Sequence, residues 1–246
     1  MSSIAIIGGT GLTKINSLNI VRHDTVDTPY GAPSSALSFG EVSGQGVVFL
    51  ARHGKNHTIP PHKVNYRANI WALHQAGVSN VIAVNAVGGI TSQHQAATLS
   101  IPDQIIDYTY SRKHTFFEDD LSKVTHIDFT EPYCNNFRQL ILSKAKKHNI
   151  TIFESATYGA TQGPRLESIA EIKKLERDGC DIVGMTGMPE AALARELGLN
   201  YACIAVVANL AAGKGDSNIT MEIIEENLIE AMDVVKKLLE AVISEF

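Results

Sequence analysis

The sequence predicts a single α/β domain in which helices cover both faces of a central sheet. Short apolar runs rich in Val and Ile recur at residues 4–7, 47–51, 81–84, 101–106, 182–185 and 201–207. They are continuous rather than alternating, as strands buried on both faces are. Longer stretches with helical spacing separate several of them, which is the order of an α/β protein. No repeat, low-complexity tract or linker divides the chain, so residues 1–246 are expected to form one domain.

Each element has its own signal. The first strand, 4–7, reaches Gly8-Gly9 with no positive segment before it, so it is expected to be a strand and not a signal peptide. Strand 47–51 exits into Arg52-His53-Gly54. Tyr66, Ile70, Trp71 and Leu73 mark a helix over 64–76, which Gly77 stops as a C′ glycine does. Strand 81–84 ends in Asn85-Ala86-Val87-Gly88-Gly89, and strand 101–106 follows. Residues 109–132 mix Tyr110, Phe116, Phe117 and Phe129 with charges at no clear period. Such a long excursion inside a compact domain is often an active-site or interface element. Ile169, Ile172 and Leu175 give a helix over 168–178, closed by Gly179. Strands 182–185 and 201–207 come next, and Thr220, a good N-cap with Glu222 in its first turn, opens a last helix to about 244. The stripe of Ile224, Leu228, Ala231, Val235, Leu238 and Val242 on that helix is core-facing.

Composition removes several function classes. The 246 residues carry 21 Lys+Arg against 26 Asp+Glu, a net charge of -5, where a nucleic-acid-binding domain needs a basic surplus. No apolar run approaches the roughly 18 residues that span a bilayer. Cys134, Cys180 and Cys203 are odd in number and lack CxxC spacing, which fits a reducing cytoplasm better than a disulfide framework.

The chemistry-bearing residues stand at strand exits. Gly8-Gly9-Thr10-Gly11 follows the first strand, where backbone N–H groups and the Thr10 hydroxyl suit a phosphate, although neither GxGxxG nor a Walker A motif is present. Arg52 supplies a planar fork for phosphate oxygens and His53 a second donor, at the strand end where open α/β folds place ligands. No metal is expected, since His53, His57 and His62 are interrupted by Gly54 and Asn56 and lie on no helix. GPRLE at 163–167 and GMTGMPE at 184–190 add two more glycine-bearing turns. Turns of this kind are common singly, but several in one chain converge on one sheet edge.

The motifs IIGGTGL (6–12), TPYG (28–31), LARHG (50–54), VNYRANIWAL (64–73), AVGG (86–89), DQIID (103–107), GPRLE (163–167) and GMTGMPEAALARE (184–196) resemble, in this order, the trimeric nucleoside phosphorylase family and its 5′-methylthionucleoside branch. The resemblance covers essentially the whole chain. It implies a central mixed, twisted sheet flanked by helices, a homotrimer, and phosphorolysis: phosphate attacks C1′ of a purine nucleoside and releases the base. Inorganic phosphate is then a co-substrate and no cofactor is implied. Thr10, Arg52, His53 and Thr186 match the family's phosphate ligands, with Asn85 and Ala86 adjoining, and Met185 matches the residue against the sugar. Leu166, Leu210 and Ala211 match positions lining the nucleoside, and His126 matches a residue that reaches the neighbouring subunit's site.

Specificity is read from three positions. Adenine-selective relatives carry Asp where this chain has Asn209 and Ala211, and a small hydroxyl residue at Glu167. An amide N–H suits the O6 and N7 acceptors of a 6-oxopurine and supports the leaving base, while Glu167 accepts the N1–H that adenine lacks. Ordinary purine nucleoside phosphorylases place a His near the start of the last helix, and Met221 stands there instead, suited to a methylthio group. The implied substrate is a 6-oxopurine 5′-methylthionucleoside, with hypoxanthine released. An inosine/guanosine phosphorylase, an adenine-type methylthioadenosine phosphorylase and, more remotely, a hydrolytic nucleosidase or a non-catalytic binder remain as alternatives.

Overall fold

A computed structural model describes residues 4–9, 12, 18–119, 121–215 and 220–246. Their strands form one mixed sheet. The order is β2 (Leu18–Asp24), β3 (Leu37–Val42), β4 (Gln45–Ala51), β1 (Ile4–Gly8), β5 (Asn80–Gly89), β9 (Ile182–Gly184), β8 (Thr157–Ala160) and β7 (Gln104–Asp107). Strand β10 (Asn200–Leu210) runs parallel to β5 along its length and carries the short antiparallel β6 (Leu99–Ser100). The neighbours β1–β4, β1–β5, β5–β10, β7–β8 and β8–β9 are parallel, whereas β2–β3, β3–β4 and β5–β9 are antiparallel.

The continuous apolar runs are the central strands, and the two-residue period sorts their side chains between two cores. On β10, Tyr201, Cys203, Ala205 and Val207 enter one cluster, while Ala202, Ile204 and Val206 enter the other. On the first face α1 (Tyr66–Gln75) packs against α4 (Gly187–Glu196), bringing Ile70, Leu73, Ala191 and Ala194 onto the sheet. On the second, α2 (Asn135–Lys147) and α5 (Met221–Ile243) bury Ile141, Ala145, Leu238 and Val242. Helix α3 (Ile169–Arg177) closes a smaller cluster with Ile172, Leu175 and Val183.

Several expectations are corrected in detail. Of the strand expected over 101–106 only 104–106 is strand, within β7; residues 101–103 link it to β6, and Pro102 there has no N–H for a ladder. Strands β2, β3 and β8 and helices α2 and α4 gave no clear apolar signal. Strand β2 is an exposed sheet edge, and the surface of α2 is polar apart from its buried stripe. In α4 the GMP sequence hides the start: Met188, at φ -117 and ψ 141, is extended, so the regular helix begins at Pro189, which has no N–H to leave unpaired.

The glycines at the end of β5 serve the protein's own packing. A Cβ on Gly89 would lie 1.8 Å from the carbonyl oxygen of His94, a backbone atom that cannot swing aside. Gly89→Ala is therefore expected to destabilise the fold by about 2 kcal/mol. Thermal unfolding should show it as a midpoint lowered by about 5 °C.

Candidate active site

The exits of β1, β4, β5, β9 and β10 converge on a cavity of about 1050 Å³. Its origin is a gap in the sheet. Strand β1 pairs with β5 only as far as Ala83, and β9 takes up pairing at Gly88 and Gly89. Val84, Ala86 and Val87, between the two, line the cavity.

Arg52, at the β4 exit, fills the gap in the ladder. Its Nη1 donates to the Val84 carbonyl at 3.2 Å. Its Nε and Nη2 donate to the two carboxylate oxygens of Glu190, each at 2.7 Å. Arg52 is 2% exposed and Glu190 0%. Glu190 sits in the first turn of the regular part of α4, where a carboxylate is favoured, and it also accepts from the Tyr201 hydroxyl at 2.8 Å. Burial alone would pull the Arg52 pKa down, but the Glu190 charge and hydrogen bonds outweigh it and hold the guanidinium charged. Three of its five N–H groups are thereby committed, leaving one on each Nη at the cavity wall.

His53 is held differently from the donor that its position suggested. Its Nδ1 lies 2.8 Å from the Ile59 carbonyl, which only accepts, so Nδ1 carries the proton. Burial, then the Arg52 charge, push its pKa down to about 4. At neutral pH the imidazole is uncharged and Nε2 is an acceptor, suited to the hydroxyl of a monohydrogen phosphate. Thr186, buried at the start of α4, and Met185 line the cavity beside them.

Glu167, Leu166, Asn209 and Ala211 also line the cavity. Glu167 directly precedes a capping box in which Ser168 and Glu171 satisfy each other's backbone N–H groups, which fixes the entry to α3. The Thr161 hydroxyl donates to Glu167 Oε1 at 2.6 Å, leaving Oε2 available. Asn209 lies just past a bulge in β10, where the register against β5 shifts between Val207 and Asn209. The Asn227 side chain of α5 donates to the Ala208 carbonyl at 2.8 Å. Asn209 Nδ2 donates to the Leu210 carbonyl at 2.7 Å, leaving one amide N–H and Oδ1. Ile224, Leu228 and Met232 of α5 form an apolar wall.

The remaining expected residues fall elsewhere. Asn85 is 1% exposed and outside the lining, and neither its Nδ2 nor its Oδ1 is hydrogen-bonded to any of the described residues. Its neighbour Ala86 does line the cavity. Leu210 is outside the lining as well, because strand alternation turns it away from the face that Asn209 and Ala211 share. His126 is exposed on the excursion and away from its own chain's cavity. Thr10 and the side chain of Met221 lie outside the described residues. Among the described residues no group of three or more His, Cys, Asp and Glu side chains is placed to hold a metal ion, and no helix is long and apolar enough to cross a membrane. Sequence reading gave no role to Glu190, Tyr201, Thr161 or Asn227. The only signal was the Glu190 carboxylate inside the GMTGMPE motif.

A model of the phosphorylase superfamily matches residues 3–244. A probable S-methyl-5′-thioinosine phosphorylase of Pseudomonas syringae pv. tomato is 54% identical over 244 residues, covering 99% of each chain. A 6-oxopurine nucleoside phosphorylase of Pyrococcus furiosus is 44% identical, covering 98% of this chain and 92% of its own. Among solved structures, a methylthioadenosine phosphorylase from Schistosoma mansoni in complex with adenine superposes with a TM-score of 0.94 at 31% identity, over 99% of this chain and 91% of its own.

Two outcomes follow from the buried pair and its neighbour. Glu190→Gln leaves Arg52 charged in a dry site and is expected to cost about 3 kcal/mol, read by urea unfolding. His53 has a folded pKa near 4 against 6.5 unfolded, so the unfolded chain binds more protons between those values. Stability from this group is present above pH 6.5 and lost as pH falls towards 4. In urea titrations over that window, His53→Gln should flatten the pH slope of stability by up to about one proton.

Proposed function

The chain belongs to the phosphorylase superfamily, and from that membership we propose that it catalyses phosphorolysis of S-methyl-5′-thioinosine to hypoxanthine and 5-methylthioribose 1-phosphate. The carrying observation is that one cavity is lined by Arg52, His53 and Thr186 together with Glu167 and Asn209. A phosphate oxygen attacks C1′ as the C1′–N9 bond breaks, and the bond's electron pair leaves with the purine. The free N–H groups of Arg52 and the Thr186 hydroxyl hold the anion beneath C1′, which stabilises positive charge developing on the sugar. Negative charge grows on the departing base, where the free Asn209 N–H donates to N7 or O6 and Glu167 Oε2 accepts from N1–H. Adenine has no N1–H for Glu167 Oε2 and presents N6–H₂ where hypoxanthine presents O6, a mismatch whose penalty reaches roughly 10⁴-fold at sites built for hydrogen bonding. No protein nucleophile is needed.

The 5′ end is assigned to the start of α5. Met221 stands where a hydroxyl-binding His would serve an ordinary nucleoside, and Ile224 and Leu228 continue an apolar wall that suits a thioether. The named relative at 54% identity is consistent with this substrate. A 6-oxopurine nucleoside phosphorylase acting on inosine or guanosine is the second reading, favoured by the relative from Pyrococcus furiosus. We further propose a cytoplasmic homotrimer that uses no cofactor or metal, in which His126 reaches the 5′ region of a neighbouring subunit's site.

Base release should be followed spectrophotometrically for methylthioinosine, methylthioadenosine, inosine and adenosine, each with and without phosphate. Methylthioinosine is expected to react fastest, and only with phosphate present. Faster cleavage of methylthioadenosine, or release without phosphate, would overturn the assignment. Asn209→Asp combined with Glu167→Ser should shift kcat/KM towards methylthioadenosine by about tenfold or more. Met221→His should shift it towards inosine.

A further inference from the structure

Arg112 stands in the excursion between β7 and α2 and is only 9% exposed. Its guanidinium is spent on main-chain carbonyls. Nη1 donates to Met185 O at 2.9 Å and Met188 O at 2.6 Å, and Nη2 to Thr161 O at 3.2 Å and Gln162 O at 2.7 Å. Nε donates to Gln162 Oε1 at 3.1 Å, and the Tyr66 hydroxyl accepts from Nη1 at 3.3 Å. Among the described residues no carboxylate lies within ion-pair distance of it. A buried charge satisfied by carbonyl dipoles holds those dipoles in place: releasing either Nη2 carbonyl leaves a donor unpaired in a dry site, and Nη1 shares its two N–H groups among three acceptors.

The carbonyls belong to two loops. Residues 161–162 precede GPRLE and lead to Glu167, which the Thr161 hydroxyl also holds. Residues 185–188 carry Met185 and Thr186 and lead to Glu190, the partner of Arg52. The loops also touch directly, since a Cβ on Gly163 would lie 2.4 Å from Met185 Sδ. The excursion is itself tied to the end of α4, where Glu196 accepts from the Thr115 hydroxyl at 2.6 Å and the Phe116 N–H at 2.7 Å.

We propose that Arg112 is a positioning residue that sets the base-reading loop against the sugar- and phosphate-facing loop, so that purine selectivity depends on a side chain outside the cavity lining. The inference rests on the proposed base recognition by Glu167. It requires the planar fork in particular, because a lysine ammonium keeps the charge but cannot reach carbonyls on both loops at once.

The test compares Arg112→Lys with Arg138→Lys. Arg138 is a second buried arginine, 7% exposed, that donates to the carbonyls of Pro102, Ile101 and Glu154 and does not line the cavity. Both variants should unfold at lower temperature. Arg112→Lys should also lower the ratio of kcat/KM for methylthioinosine over methylthioadenosine by about tenfold, whereas Arg138→Lys should leave the ratio unchanged. Gln162→Ala, which removes the acceptor of Nε and of the Tyr110 N–H but leaves the four main-chain carbonyls in place, should lower the ratio in the same direction by a smaller factor. The proposal is overturned by an unchanged ratio in Arg112→Lys, or by an unchanged ratio in Gln162→Ala should Arg112→Lys not fold. A wild-type protein with no preference for methylthioinosine refutes the base assignment instead, before any variant is measured.

Discussion

The buried pair of Arg52 and Glu190 is the contact on which the cavity's architecture depends. An unpaired guanidinium could not be held at 2% exposure, because the cost of desolvation exceeds what most folds can tolerate. Glu190 removes that cost with two hydrogen bonds, and Tyr201 takes up part of its remaining capacity. Three elements are thus locked together: the exit of β4, the first turn of α4 and the core of β10. The same arginine closes the Val84 carbonyl that β1 leaves unpaired. The cavity is a defect in the sheet, and Arg52 makes the defect affordable while keeping a positive face towards it.

That arrangement explains how a protein with a net charge of -5 accommodates an anionic ligand. The positive potential is local and fixed, made by a guanidinium that cannot lose its proton and by donors aimed at one point. The neighbouring imidazole is kept neutral by the same charge and by burial. Two adjacent basic residues therefore act differently, Arg52 as a permanent cation and His53 as an oriented acceptor.

Glu167 and Met185 reach the cavity from loops, and loops hold a side chain in one place only through external constraints. The capping box of Ser168 and Glu171 and the Thr161 hydroxyl restrict Glu167, and the bulge in β10 restricts Asn209. Arg112 spans the gap between the two loops with a single planar group. The irregular excursion contributes to the site through its hydrogen bonds even where its own side chains lie outside the cavity.

The sequence by itself determined the layered α/β fold, since continuous apolar strands and striped helices leave few other ways to bury their surface. It also located the strand exits, because glycine beside polar residues at a strand end is a local signal. Arg52 and His53 were legible for that reason, whereas Thr186, Glu167 and Asn209 took their roles from the resemblance to the nucleoside phosphorylases; all five line one cavity. Contacts between residues distant in sequence were not legible. The Arg52–Glu190 pair spans 138 positions and Arg112–Met188 spans 76, and no spacing rule connects such residues. Protonation was likewise decided by tertiary structure: the His53 tautomer depends on the Ile59 carbonyl and its low pKa on burial beside Arg52. Leu210 and Asn209 are adjacent in sequence, yet the pleat gives only Asn209 to the cavity, because alternation along a strand assigns neighbours to opposite faces.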